Sequence, residues 1–86
     1  MSVTYDFSLP LIHGLHARPA SALQEVASAH VSDIRLTNNR NGREANTKSV
    51  LSLVAADVRH GDPCTLLVAG PNAGEDLERL RRFLSD

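Results

Sequence analysis

Polar and apolar residues alternate from the start of the chain. Val3, Tyr5, Phe7 and Leu9 are separated by Thr4, Asp6 and Ser8. Period two is the spacing of a strand with one buried face. Pro10 ends it, and residues 11–15 read as a short loop with Gly14 as its turn residue. From residue 17 to 29 the period changes, and Ala20, Leu23, Val26 and Ala27 recur at helical spacing. Pro19 would break a helix interior. In a first turn it does no harm, because those N–H groups have no intrahelical acceptor. The helix therefore begins at His16 or Ala17.

Residues 31–37 read as a second strand, with Ile34 and Leu36 on one face. Asn38-Asn39-Arg40-Asn41-Gly42 is a turn, in which Asn-Gly is a strong hairpin cue. Residues 43–46 form the short return strand. Ser49 caps an apolar run, Val50, Leu51, Leu53, Val54, Ala55 and Ala56, long enough for two helical turns. Within that run Leu53 and Val54 are expected in the core, with Val50 and Leu51 partly exposed. His60-Gly61-Asp62-Pro63 is a further turn, and residues 64–69 (CTLLVA) suit a central strand. Gly70-Pro71-Asn72 stops it. A last helix over 73–84 places Leu77, Leu80 and Leu84 on one face, with its acids early and its arginines late, as the helix dipole favours. The order is βαββαβα. Strand pairs separated by helices predict an α+β open-faced β-sandwich: a four-stranded antiparallel sheet with three helices on one face. A ferredoxin-like fold shares the first six elements and is the alternative. No repeat or linker interrupts residues 1–86, which read as one domain.

Composition narrows the function classes. Hydrophobic residues make up 42% of the 86, enough for one small core. Nine basic and ten acidic side chains leave a net charge of −1. That balance disfavours nucleic-acid binding, which depends on a strongly basic surface. No run approaches membrane-spanning length, and the N-terminus lacks the basic and apolar regions of a signal peptide. A cytoplasmic, non-membrane protein is expected. The single cysteine, Cys64, excludes an internal disulfide and a multi-thiolate zinc site. It starts an apolar strand and reads as a small core residue.

The stretch that carries chemistry is Gly14-Leu15-His16-Ala17-Arg18-Pro19-Ala20. His16 falls where a loop meets a helix N-terminus, whose free N–H donors and positive dipole end suit an anion, phosphate above all. A neutral imidazole nitrogen at that place is a nucleophile towards phosphorus. Arg18 can reach the same oxygens with a planar fork of donors, and Pro19 stiffens the backbone. Such a set describes reversible phosphate carriage rather than hydrolysis. An ordinary capping histidine accounts for the same spacing, although His is not a favoured cap.

These seven residues resemble the active-site signature of the histidine-containing phosphocarrier (HPr) family of the bacterial phosphoenolpyruvate-dependent sugar phosphotransferase system. Asn46-Thr47-Lys48-Ser49-Val50-Leu51-Ser52-Leu53 resembles the family's second characteristic stretch. The resemblance implies the open-faced sandwich read above. It implies that His16 accepts a phosphoryl group at Nδ1 from phospho-enzyme I and passes it to enzyme IIA for sugar uptake. Arg18, with the backbone at Ala17, would stabilise the phosphate. Leu15, Ala20, Val50, Leu51 and Leu53 would flank the surface that docks both partners. Such a domain is a phosphoryl carrier rather than a stand-alone enzyme. It needs no cofactor of its own, magnesium being required by enzyme I. It acts as a monomer in transient complexes. Ser49 matches a serine phosphorylated in some relatives, although a plain helix cap accounts for it as well.

Three details depart from the family pattern. His13 stands where many members have Asn, Asp57 replaces a usual Gly, and the hairpin from Asn38 to Glu44 is longer. With Gly61-Asp62-Pro63-Cys64 they resemble the N-terminal HPr-like domains of fused multiphosphoryl transfer proteins. That variant implies a chain continuing into an enzyme I module, the domain then being part of a phosphotransferase. A non-catalytic α+β regulatory or binding module, with a merely structural His16, is the reading from a different class. His13, His30 and His60 lack companions at metal-ligand spacing, so no metal site is expected. His30 ends a helix, where a cation suits the dipole. Arg79, Arg81 and Arg82 read as a solvated face paired to Glu75 and Glu78 at i,i+4.

Overall fold

The computed structural model describes residues 1–85. Its elements are β1 (Ser2–Ser8), α1 (Ala17–Ser28), β2 (Asp33–Asn38), β3 (Arg43–Asn46), α2 (Val50–Ala55), β4 (Pro63–Ala69) and α3 (Ala73–Ser85). The order is the one the periodicity predicts. All strand pairs are antiparallel, in the sheet order β1-β4-β2-β3. Inserting β4 between β1 and β2 separates this open-faced sandwich from the ferredoxin-like alternative.

Register builds the core in rows. Val3, Val68 and Ile34 lie abreast across β1, β4 and β2; Tyr5, Leu66 and Leu36 form the next row, and Phe7, Cys64 and Asn38 the third. Partners directly opposite share a face, so one side of the sheet is apolar. The helices cover it with Ala20, Leu23 and Ala27 of α1, Leu53 of α2, and Ala73, Leu80 and Leu84 of α3. The other side carries polar residues such as Asp6 and Thr65, whose hydroxyl donates to the Asp6 carboxylate at 2.7 Å. No helix among the described residues is long and apolar enough to cross a membrane.

The differences from expectation lie at ends and polar groups. Strand β2 starts at Asp33 rather than 31, and Val31 is 84% exposed. Helical turns persist past α1 as far as His30, since the Ala29 and His30 N–H groups still bond the Val26 and Ala27 carbonyls, and residues 31 and 32 bend the chain into the strand. His30 does more than complement a dipole. Its Nδ1 lies 3.1 Å from Oδ1 of Asp76 in α3, whose Oδ2 accepts the Ser32 hydroxyl, and Lys48 Nζ donates to the His30 carbonyl at 2.7 Å. The pairs expected at i,i+4 on α3 do not form. Arg81 instead approaches Glu78 at 3.6 Å, at i,i+3, with its guanidinium 5.5 Å from the Tyr5 ring centroid.

Asn38, read from sequence as a turn residue, is the last residue of β2 and is fully buried. Its amide nitrogen donates to the Ala56 carbonyl at 3.1 Å and the Asp57 carbonyl at 3.2 Å. It thereby pins the end of α2 to the sheet. Asp62 completes this network. One carboxylate oxygen accepts the Arg59 N–H at 2.8 Å, Arg40 Nε at 2.9 Å and Asn38 Nδ2 at 3.3 Å. The Arg59 backbone bond first, and the Arg40 guanidinium second, hold the Asp62 carboxyl below the usual carboxylate range. Burial, with the Asp62 charge nearby, pushes the Cys64 thiol up to about 11. Cys64 is thus the inert core residue its strand predicts.

A depressed carboxyl pKa contributes stability above the ordinary carboxylate value, and that contribution is lost as pH falls through the folded value. Wild-type stability should therefore be intact at neutral pH and decline below about pH 4. Asp62→Asn should lower the urea midpoint at pH 7 and flatten its fall between pH 5 and pH 3. The same pH dependence in both proteins would contradict the role given to Asp62.

Candidate functional site

The site is built by a glycine that cannot be replaced without collision. Gly14 has φ +76°, and its N–H bonds the Leu11 carbonyl at 3.0 Å. A Cβ at this position would stand 2.8 Å from the Val58 carbonyl oxygen and 3.4 Å from Arg59 Cα. The next residue, Leu15, donates its N–H to that Val58 carbonyl at 2.9 Å and buries its side chain. The loop thus lies directly on the segment between α2 and β4, and His16 is the first residue to emerge from it.

His16 is the N-cap of α1, with φ −82° and ψ −173°. Its carbonyl accepts the first helical bond, from the Ala20 N–H at 3.0 Å. Its ring makes no capping bond and is exposed, so neither nitrogen is committed to the helix. The Ala17 and Arg18 N–H groups fall in the first turn, where no intrahelical acceptor exists, and Pro19 has no N–H. The Arg18 side chain is exposed and makes no hydrogen bond or ion pair to a described residue. An imidazole, two backbone donors without an intrahelical acceptor and a guanidinium with no partner among the described residues therefore stand together at one helix end. His16, Ala17 and Arg18 lie together at the start of α1, and His16 and Arg18 line one depression.

His16 borders two depressions. One, of about 530 Å³, is lined by Ile12, His13, Val54, Arg59 and His60 among others. The second, of about 380 Å³, runs along Leu11, Arg18, Pro19, Ala22 and Phe83. His13 shares both with His16, while His60 Nδ1 lies 3.3 Å from the Leu11 carbonyl. Among the described residues no three His, Cys, Asp or Glu side chains cluster as metal ligands would.

The five residues placed at the docking surface divide sharply. Leu15, Ala20 and Leu53 are buried in the core and present no side chain to a partner. Val50 is half-buried, and Leu51 is 84% exposed. Leu53 fills the core as predicted, but Val54 does not: it is 42% exposed, and Val50 packs against the core in its place. In so short a helix, entry angle decides which of two neighbouring apolar positions turns inward. Ile12, 75% exposed beside His16, went unrecognised. The available signal was a large apolar residue in a loop with no periodic element to bury it.

Two other expectations take definite form. The Ser49 hydroxyl oxygen accepts the Ser52 N–H at 3.2 Å and so caps α2. Asp57 adopts φ +51°, the left-handed conformation its glycine-like position demands. Its carboxylate lies 3.1 Å from Arg59 Nη2 and 3.3 Å from Arg40 Nη2. Arg59 first, then Arg40, hold that carboxyl below the usual range.

Comparison with known proteins agrees with this geometry. The sequence pattern described as "PTS HPr component phosphorylation site" matches residues 4–86. Multiphosphoryl transfer protein 2 of Escherichia coli (strain K12) is 37% identical over 86 residues, covering 100% of this chain and 10% of that protein. The chain thus spans about a tenth of the length of the multiphosphoryl transfer proteins it matches. Phosphocarrier protein HPr of Mycoplasma genitalium is 37% identical over 71 residues, covering 83% of this chain and 80% of that one. The crystal structure of a phosphocarrier protein HPr from Bacillus anthracis str. Ames superimposes with a TM-score of 0.87 at 28% identity, over 96% of each chain.

The seat of His16 can be tested through two glycines of equal φ. Gly42, at φ +75°, has open space where a Cβ would stand. Gly42→Ala should cost only the strain of the left-handed conformation, about 1–2 kcal/mol. Gly14→Ala adds a collision with the Val58 backbone and should cost about 1–3 kcal/mol more, with displaced His16 NMR resonances. Equal losses in urea unfolding would show that the loop is not seated as described.

Proposed function

The chain belongs to the PTS-HPr family, the phosphocarriers of the phosphotransferase system, and from that premise we propose that His16 is the residue that carries its phosphoryl group. One observation supports this above the rest. His16 caps a helix without using either ring nitrogen, beside two backbone N–H groups and a guanidinium that have no other partner among the described residues.

The chemistry follows. A ring nitrogen of neutral His16, Nδ1 by resemblance to the family, forms a bond to the phosphorus of a donor phosphohistidine on enzyme I. The donor's P–N bond breaks, its electron pair leaves with the donor ring, and that ring takes up the proton His16 gives from its second nitrogen. The new dianion meets the Ala17 and Arg18 N–H groups and the positive end of α1. Arg18 adds a planar fork of donors. Reversal towards a histidine of enzyme IIA delivers the group. No cofactor resides in the domain, and the exchange takes place in the cytoplasm.

The partners must exclude water while phosphorus moves between two nitrogens, since water would hydrolyse the intermediate. Ile12 and Val54 are exposed apolar residues lining the His16 groove, Leu51 is exposed one turn before Val54 on α2, and an apolar patch beside a polar reactive group suits transient docking. This replaces the five-residue docking set with the residues a partner can touch. The 37% identity to multiphosphoryl transfer protein 2 along the whole chain favours a variant of the same reading, in which the domain is tethered to its donor module.

Incubation with phosphoenolpyruvate, magnesium and enzyme I should add one acid-labile, alkali-stable phosphate. His16→Ala should abolish it and His13→Ala should keep most of it. Undiminished labelling of His16→Ala would remove His16 from the reaction.

Leu51→Glu addresses docking alone. The domain should stay folded, because Leu51 is 84% exposed. Transfer from enzyme I and to enzyme IIA should show an apparent KM raised tenfold or more, equivalent to about 1.4 kcal/mol. Chemical labelling by phosphoramidate should be unaffected. Normal transfer by the folded variant would place docking elsewhere.

A further inference from the structure

We propose that Arg59 is a second phosphate-binding cation of the His16 site, parked on Asp57 until the phosphoryl group arrives. The proposal rests on the reading of His16 as the phosphoryl-carrying residue and adds a residue that the signature around His16 does not contain.

Position comes first. Arg59 lies in the segment between α2 and β4 on which the His16 loop is seated. Its Cα stands 3.4 Å from where a Gly14 Cβ would be, and its neighbour Val58 accepts the Leu15 N–H. His16 and Arg59 thus leave two backbone segments that touch, and both line the same groove. The other ionisable groups on that groove are His13, His60 and Asp57. None of them is a permanent cation, so Arg59 supplies the groove's fixed positive charge.

The attachments of Arg59 and Arg40 differ in a way that permits exchange. Arg59 Nη2 donates to Asp57 Oδ2 at 3.1 Å, the only side-chain bond this guanidinium makes among the described residues. Its side chain is 67% exposed. Arg40 approaches the same Asp57 oxygen at 3.3 Å, but it also donates to the Asp57 carbonyl at 2.6 Å and, through Nε, to Asp62 at 2.9 Å. Arg40 is therefore anchored whether or not Arg59 is present. If Arg59 turns away, Asp57 keeps a cation. An exposed ion pair such as Arg59–Asp57 is worth little, whereas a phosphoryl dianion offers more charge and matched oxygens to a planar guanidinium. The exchange breaks no covalent bond: Arg59 trades one carboxylate for phosphoryl oxygens, and Arg40 retains the carboxylate.

Backbone conformation gives independent support. A non-glycine residue at φ +51° is disfavoured unless something local compensates. Glycine would sit at position 57 without strain. Aspartate is present instead, and its carboxylate binds both guanidinium groups.

The test uses the full chain phosphorylated by phosphoramidate, with the phosphohistidine ³¹P resonance followed against pH at constant ionic strength. Wild type, Arg59→Ala, Arg59→Lys and Asp57→Asn are compared. Titration of the histidine rings is common to all four, so differences report on the two substituted positions. In Arg59→Ala the second ionisation of the phosphoryl group should move up by about half a pH unit or more, as loss of a nearby exposed cation predicts. Arg59→Lys should recover part of that shift. Asp57→Asn should move it down, because Arg59 is released. An unchanged midpoint in folded Arg59→Ala would overturn the proposal while leaving His16 as the carrier. An unchanged or raised midpoint in Asp57→Asn would overturn the parking role. Failure of wild type to form phosphohistidine at His16 would overturn the carrier reading, and this proposal with it.

Discussion

A backbone hydrogen bond of 2.9 Å, from the Leu15 N–H to the Val58 carbonyl, joins the loop that presents the histidine to the segment that follows α2. Gly14 makes the contact possible, since any side chain there would strike the acceptor oxygen. Because Leu15 is buried at this junction, the following residue must emerge at the surface. The helix then starts at once, with Pro19 in its first turn. The free donors of α1 are therefore aimed by a contact made outside the helix.

The acceptor side of that junction needs support, since it is an irregular segment on the surface. The support is polar. Asn38, buried at the end of β2, holds the Ala56 and Asp57 carbonyls, and Asp62 gathers Arg40, Asn38 and the Arg59 backbone. No buried side-chain nitrogen or oxygen among the described residues lacks a partner. A network satisfied to this degree orders the segment, whereas one left partly satisfied would cost stability. The hairpin between β2 and β3 has a use here, because it carries Arg40 across to Asp57 and Asp62. Sheet, hairpin and site are thereby one mechanical unit.

The division of labour around His16 follows from burial. Backbone donors without an intrahelical acceptor occur at the start of a helix. Ile12, Leu51 and Val54 leave apolar area exposed, from a loop and from a helix too short to bury all its apolar residues. Leu15, Ala20 and Leu53 act one layer below. Buried in the core, they support the exposed layer from beneath.

Much of this was legible in the chain itself. Period two and period 3.6 are local properties, so element order, the start of α1 just after His16 and the cap at Ser49 could be read directly. Inward or outward orientation on α2 could not be read. Val50 and Val54 are chemically alike, and only the angle at which the helix meets the sheet buries one and exposes the other. The bonds from Asn38 to Ala56, from Asp57 to Arg40 and from His30 to Asp76 were equally hidden, because each spans many residues and depends on strand register or on the packing of α3. Sequence alone determined which residues could carry phosphate chemistry, since that is set by side-chain type and helix position. Tertiary structure alone decided which neighbours share their groove, since long-range contacts exist only once the chain has closed on itself.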